Sequence, residues 1–325
     1  MIETKLPLVL VTHTLPAEWI SSLHGKCRML VGPVDATTLA PHLLDQVSEA
    51  QGLFTLLTIP INRNIITRAS HLQVISNMAA GVDNIDVAAC TQRGIPVGNT
   101  PDVLTEGTAD LTMALLLSIA RRLPQASLDA RNGKWKTWSP TGWLGADLSG
   151  AVLGIIGMGK IGQAVARRAL GFGMHIVYYD THPKDGIPAD YLSIDELLKI
   201  SDFVSLHTPL TENTYHLLNA TRLALLKSTA FLINTSRGAV IDPNALYQTL
   251  SDGKFAGAAL DVTDPEPLPP NHPLFQLPNC LILPHIGSAT YNTRRRMAEL
   301  ACANLLAGLS GEKMPHCVNP EVYRG

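Results

Sequence analysis

Six residues, Gly157-Met158-Gly159-Lys160-Ile161-Gly162, do most to limit how this chain can fold. A G-x-G-x-x-G match alone is weak. Here it follows an apolar run, VLGII, and opens a helical pattern, IGQAVARRALGF. A second apolar run then ends in Asp180, 18 residues after Gly162. That order is strand, tight turn, helix, strand, the unit of a parallel sheet that cradles a dinucleotide. Gly157 permits the turn, Gly159 lets the backbone approach a pyrophosphate, and Gly162 lets the helix pack closely on the sheet. The first amides of the helix lack intrahelical acceptors and are free to hold phosphate oxygens. Asp180 is placed to accept hydrogen bonds from both adenosine ribose hydroxyls and to repel a 2′-phosphate. This predicts NAD(H) over NADP(H). His182 and Lys184 lie near enough in sequence to relax that preference, so NADP(H) stays possible; no Arg directly follows Asp180.

The remaining apolar runs extend the same plan. From Ala151 onward, HIVYYD, DFVSLHTPL, AFLINTSRG, FAGAALDVT and CLILPHIG are near-continuous and end in polar or Pro/Gly turns. Such runs suit parallel strands covered on both faces. In the first hundred residues LPLVLVTH, GLFTLL and LQVISNM read as strands, with helix-like segments at Ala17–His24 and Thr38–Ala50 between them. Pro41 falls where a first helical turn tolerates it. Glu106–Arg122 reads as a helix apolar nearly all round, hence buried. A last helix is expected over Thr293–Leu309. The expected fold class is therefore α/β with parallel sheets. At 325 residues the chain is long for one core, so two domains are expected. Boundaries near 100 and 288 would make 101–288 an insertion between 1–100 and 289–325.

Composition removes several alternatives. The chain is 46% hydrophobic and 16% charged, which suits a globule rather than a disordered segment. A formal net charge of −2 and no basic block give no support to nucleic-acid or membrane-surface binding. Five cysteines, none spaced C-x-x-C, argue against a disulfide framework or a zinc site. The stretch MIETKLPLVLVTHTLP lacks a basic region followed by a long apolar one, and Leu111–Ala120 is too short to span a bilayer. A cytoplasmic protein with no metal is the expectation.

Three residues carry candidate chemistry. Arg237 lies in LINTSRG, and Glu266 and His285 lie in DVTDPEPLPPNHPLFQLPNCLILPHIGSA, each directly after an apolar run. A carboxylate and an imidazole at neighbouring strand ends make a proton-transfer pair, and a guanidinium supplies an anion anchor. The alternative is three unrelated loop residues. Trp135, Trp138 and Trp143 crowd one irregular segment, NGKWKTWSPTGWLGADLSG. Either it folds on its own body or it is an arm against a second subunit, where aromatic residues concentrate.

Together GMGKIG, DFVSLHTPLTENTYHL, LINTSRGAVID, AALDVTDPEP and PHIGSAT resemble the D-isomer-specific 2-hydroxyacid dehydrogenase family over nearly the whole chain. TPDVLTEGTAD, RRLP, the Trp-rich loop and the ending NLLAGLSGEKMP are most similar to its glyoxylate/hydroxypyruvate reductases. The resemblance implies two Rossmann-like/flavodoxin-like domains. The NAD-binding domain is inserted in the substrate domain, the active site sits in the cleft, and closure hinges lie near 100 and 288. It implies a homodimer with the Trp loop at the interface. It also implies NADH-dependent reduction of a small 2-oxo acid, glyoxylate to glycolate or hydroxypyruvate to D-glycerate. His285 would donate the proton, Glu266 would orient the ring and raise its pKa, and Arg237 would bridge carbonyl and carboxylate.

Backbone amides of Ala80 and Gly81 would also hold the carboxylate, in a pocket shaped by Leu56, Leu57, Ala79 and Ala80. Thr108, Asp261 and Gly287 would border the nicotinamide. Lys160, Ile161, Thr208, Thr235 and Ser236 would line the dinucleotide, the alternative being plain structural hydrogen bonding. His207, at a strand end, is expected to be structural. Formate-oxidising relatives place Gln opposite the histidine, phosphite-oxidising ones carry a lysine in the loop matching NMAAGVDN, and this chain has neither feature. Phosphoglycerate oxidation usually accompanies a longer chain. Another D-2-hydroxy acid, or a nonenzymatic NADH-sensing corepressor-like role, remains as an alternative.

Overall fold

A computed structural model describes residues 6–323. Residues 1–5, the start of the stretch read above as lacking a leader, lie outside the described residues, as do 324–325. The chain divides into two compact units, 1–104 with 290–325, and 105–289.

Unit 1 starts with β1 (Leu8–Val11), β2 (Arg28–Val31), α1 (Pro41–Leu44), β3 (Gly52–Thr55), α2 (Arg63–Arg68), β4 (Val74–Asn77), α3 (Val87–Gln92) and β5 (Val97–Gly98). The five strands form a parallel sheet ordered β2-β1-β3-β4-β5. Successive side chains on a strand point to opposite faces, and both faces here are apolar. Leu8, Leu10, Leu53 and Ile75 pack with Leu43, Ile66 and Cys90 from α1, α2 and α3. Val9, Val11, Phe54 and Val74 pack against Met297, Ala301, Cys302 and Leu305. Those four belong to the last helix, Tyr291–Leu309, which starts two residues before the expected Thr293. The segment Ala17–His24 holds two short 3-10 turns rather than a helix, and only Leu23 within them is buried. Too few apolar positions recur there to sustain an α-helix.

Unit 2 begins with α4 (Thr105–Ala120) and α5 (Leu123–Arg131). Arg122 adopts a left-handed φ of 53° and Pro124 sits in the first turn of α5, which ends one helix and starts the next. The single helix expected over 106–122 therefore ends at Ala120, and α5 is a further element. β6 (Val152–Ile156), α6 (Lys160–Gly171), β7 (His175–Tyr179), β8 (Asp190–Tyr191), α7 (Ile194–Ile200) and β9 (Phe203–Leu206) follow. Then come α8 (Ala220–Leu223), β10 (Phe231–Asn234), α9 (Pro243–Ser251), β11 (Gly257–Leu260) and β12 (Cys280–Ile282); the long helix of unit 1 is α10. The seven strands are parallel in the order β12-β11-β10-β9-β6-β7-β8. β6 and β9 lie side by side, so the chain reverses direction across the sheet there. In an open parallel sheet that reversal marks the crevice where ligands bind. One face packs on α4 and α6 and the other on α7, α8 and α9.

Candidate active site

The glycine loop occupies the turn from β6 to α6. Gly157 has φ +97°, and a Cβ there would lie 2.7 Å from the His207 carbonyl, so only glycine fits. A Cβ on Gly162 would lie 2.2 Å from the Gly157 carbonyl oxygen, which keeps α6 pressed to the strand. Nothing lies within 4 Å of a Cβ built on Gly159, the position expected to face a pyrophosphate. Lys160 and Ile161 form the first helical residues behind it.

At the end of β7, Asp180 Oδ2 accepts the Met158 amide at 2.9 Å and Oδ1 accepts the Thr181 amide at 2.7 Å. Lys184 Nζ is 3.5 Å from Oδ1, and its main chain is gripped by the buried Tyr178 hydroxyl. Burial would raise the Asp180 carboxyl, but these donors outweigh it and hold the group below the usual carboxylate range. Thr208 Oγ1 is buried with no partner among the described residues. An open glycine face, a charged strand-end acid and an orphaned hydroxyl together fit a dinucleotide.

The chemical residues come together by backbone contact. Asn234 ends β10; its Oδ1 accepts the Ser236 amide at 3.0 Å and its Nδ2 donates to the Arg237 carbonyl at 2.9 Å. This buried side chain folds the TSRG turn that presents Arg237. The next residue, Gly238, is where the loop carrying Glu266 lies against that turn. A Cβ at Gly238 would be 2.0 Å from the Thr263 carbonyl, so the approach requires glycine. Glu266 Oε1 accepts from His285 Nδ1 at 2.5 Å, and Oε2 accepts the Thr263 amide at 3.3 Å. Burial raises the Glu266 carboxyl, but the hydrogen bond and charge of His285, with Arg237 contributing, bring it below its ordinary value. Glu266 therefore stays a carboxylate at neutral pH. The bond engages Nδ1 and leaves Nε2 as the ring nitrogen for proton exchange.

His285 itself has φ +53°. A non-glycine residue in that region costs on the order of 1–3 kcal/mol and must be held by its surroundings. Asp261, buried at the end of β11, holds it: its carboxylate accepts the Ile286 and Gly287 amides at 2.7 Å each, and its carbonyl accepts the His285 amide at 2.9 Å. Burial, first among its influences, raises the Asp261 carboxyl. Thr108 on α4 donates to the Gly287 carbonyl at 3.4 Å, and Thr112 pairs with Thr235 at 2.9 Å, so α4 braces both catalytic loops. The His207 ring is half-buried and bonded to Ser205 at 2.8 Å, and desolvation pushes it down to about 3, so it stays neutral.

In unit 1 the loop after β4 shows a second pattern. Ala79 O accepts the Thr100 amide at 2.8 Å, Ala80 O accepts Asn99 Nδ2 at 2.7 Å, and Gly81 O accepts Asn77 Nδ2 at 2.9 Å. In a planar trans peptide the N–H points opposite its own C=O. The amides of Ala80, Gly81 and Val82 therefore point opposite to these three pinned carbonyls.

Sequence reading missed Asn234, Gly238 and Val82. Asn234 and Gly238 had a signal: both flank Arg237, and a short amide and a glycine at a strand end mark a constrained turn. Among the described residues no His/Cys/Asp/Glu group could hold a metal, and no helix is long and apolar enough to cross a membrane.

Comparison with known proteins agrees with this geometry. Residues 113–287 match the D-isomer specific 2-hydroxyacid dehydrogenase, NAD binding domain. A glyoxylate reductase of Korarchaeum cryptofilum is 45% identical over 323 residues, covering 98% of this chain and 97% of that protein. A solved structure from Thermus thermophilus is 50% identical with a TM-score of 0.91, covering 96% of this chain and 99% of that one. An NADPH-dependent glyoxylate/hydroxypyruvate reductase from Sinorhizobium meliloti, solved with NADP and malonate, is 32% identical with a TM-score of 0.86, each chain covered to 96%. The chain belongs to the D-isomer-specific 2-hydroxyacid dehydrogenase family. Its inserted unit is a nicotinamide dinucleotide-binding domain.

Proposed function

We propose that the protein reduces glyoxylate, and hydroxypyruvate with it, using NADH in preference to NADPH. The observation that carries this is the 2.5 Å Glu266–His285 pair, set on the loop next to the Arg237 turn. A reduced nicotinamide, when bound, supplies the hydride. As the substrate carbonyl gains negative charge, His285 donates a proton from Nε2 to that oxygen. Glu266 fixes the tautomer and stabilises the imidazolium. The Arg237 guanidinium spans the carbonyl oxygen and the carboxylate, a planar fork matched to two acceptors. Ala80 and Gly81 amides are assigned the same carboxylate. Relatives named glyoxylate reductase at 45% identity support the substrate class.

Asp180 supports NADH, since a 2′-phosphate would meet a charged carboxylate. Among similar structures one is NADPH-dependent and solved with NADP, and another is a D-lactate dehydrogenase solved with NAD. A steady-state assay at 340 nm with glyoxylate and each cofactor tests both parts. The expected result is a kcat/KM at least about tenfold higher for NADH, equivalent to roughly 1.4 kcal/mol. No loss of NADH with either acid sinks the substrate class; a preference for NADPH sinks the role of Asp180.

A homodimer is part of the same reading. Trp143 is tied to α5 through Asp129 at 3.1 Å, while Trp135 and Trp138 are 65% and 80% exposed, and Leu128 and Leu144, near them in sequence, are exposed too. Clustered apolar exposure of this kind marks a contact surface. Sedimentation should give a dimer, and the double substitution Trp135→Glu/Trp138→Glu should shift it to monomer. A monomeric parent, or a variant that stays dimeric, would place the contact elsewhere. A cytoplasmic location accords with free cysteines and no membrane-crossing helix among the described residues.

A further inference from the structure

Asn77 and Asn84 take no part in the chemistry above, yet their side-chain donors are fully used. Asn77, completely buried at the end of β4, donates through Nδ2 to Gly81 O at 2.9 Å and to Asn84 Oδ1 at 3.1 Å. Asn84 Nδ2 donates to Leu56 O and Ile59 O, both at 3.0 Å. Amide orientation follows from the partners. Main-chain carbonyls only accept, so Asn84 must turn its NH2 toward Leu56 and Ile59. Its oxygen is then the acceptor for Asn77, whose own NH2 reaches Gly81. The Asn77 oxygen is left buried without a partner among the described residues, an arrangement tolerated because the two donor bonds require it.

The pair ties two loops together. One follows β3 and carries Leu56 and Leu57; the other follows β4 and carries the amides of Ala80 and Gly81. β3 and β4 are neighbours, with Thr55 beside Asn77. The Ile61 amide donates to Asn84 O at 2.7 Å, closing a second link between the same two segments. Hydrogen bonds from strand ends thus fix the spacing between the segment carrying Leu56 and Leu57 and the loop carrying Ala80 and Gly81.

We propose that the Asn77–Asn84 bridge is a specificity-positioning device. It sets the gap between the Ala80–Gly81 amides and the Leu56–Leu57 wall, and so restricts the 2-oxo acid to the smallest side chains. This rests on the assignment of those amides to the substrate carboxylate.

The test compares the full-length parent with Asn84→Asp and Asn84→Ser, using glyoxylate, hydroxypyruvate and 2-oxobutyrate at saturating NADH. Asp is isosteric but sets an acceptor against two carbonyls; Ser keeps one donor. Small misplacements of a substrate seat cost one to two orders of magnitude. KM for glyoxylate should rise about tenfold in Asn84→Asp and less in Asn84→Ser, and selectivity for glyoxylate over 2-oxobutyrate should fall by a similar factor. Turnover number and NADH affinity, read by fluorescence, should stay close to the parent. A lower Tm with unchanged selectivity would reduce the bridge to a stability role, and so would an equal loss of kcat with all three acids. If Asn84→Asp fails to fold, Asn84→Ser and Asn77→Ser carry the comparison. A parent that turns over glyoxylate while its variants keep their selectivity sinks the bridge alone. A parent inert with glyoxylate removes the functional reading first.

Discussion

His285→Ala lowers glyoxylate turnover by about 10³-fold and leaves NADH binding as it was. General acid catalysis by a positioned side chain contributes typically 10²–10⁴-fold. His207, another histidine at a strand end in this unit, is half-buried, neutral and bonded to Ser205. The substitution also removes the partner of Glu266. Single-turnover kinetics with NADH pre-bound, together with fluorescence titration of NADH, separate loss of chemistry from loss of cofactor. Turnover within about threefold of the parent would rule out His285 as the acid.

Arg237→Lys lowers kcat/KM for glyoxylate by about 10²-fold or more. Lysine keeps the charge but loses the planar fork that bonds carbonyl and carboxylate together. The turn should survive, because Asn234 grips the main chain of residue 237 rather than its side chain. The loss should fall on KM and kcat alike, since the carbonyl contact strengthens as charge develops on oxygen. Steady-state kinetics over a wide glyoxylate range check this, with Tm measured in parallel. A lysine variant with parental kcat/KM would show that a point charge suffices and that the bidentate assignment is wrong.

Much of this site was legible because its residues sit at strand ends, where apolar runs stop abruptly. The glycine loop, Asp180, Arg237, Glu266 and His285 all share that mark. Long-range partners left weaker traces. Nothing in the sequence pairs Asp261 with the Ile286 and Gly287 amides, 25 and 26 positions away, because a buried carboxylate finds its donors only once the sheet exists. Asn77, Asn84 and Asn99 carry no signal of their role until the carbonyls they hold are known. Short elements were harder still. β2, β5 and β8 are two to four residues long, and periodicity over so few positions carries little signal. Ala17–His24 looked helical in the sequence but folded as isolated turns, since only Ile20 and Leu23 along it are buried.

The place of α10 in the chain has a consequence for synthesis. One face of the unit 1 sheet, with Val9, Val11, Phe54 and Val74, is covered by Met297, Ala301, Cys302 and Leu305. The strands leave the ribosome first, and the covering helix follows only after residues 105–289. At typical elongation rates that interval is roughly 10–40 s. Throughout it the nascent sheet carries a bare apolar surface, while the later-made unit already has all its own strands and helices. The inserted unit is thus able to mature before its host, and the early strands are the part of the newborn chain most in need of a chaperone.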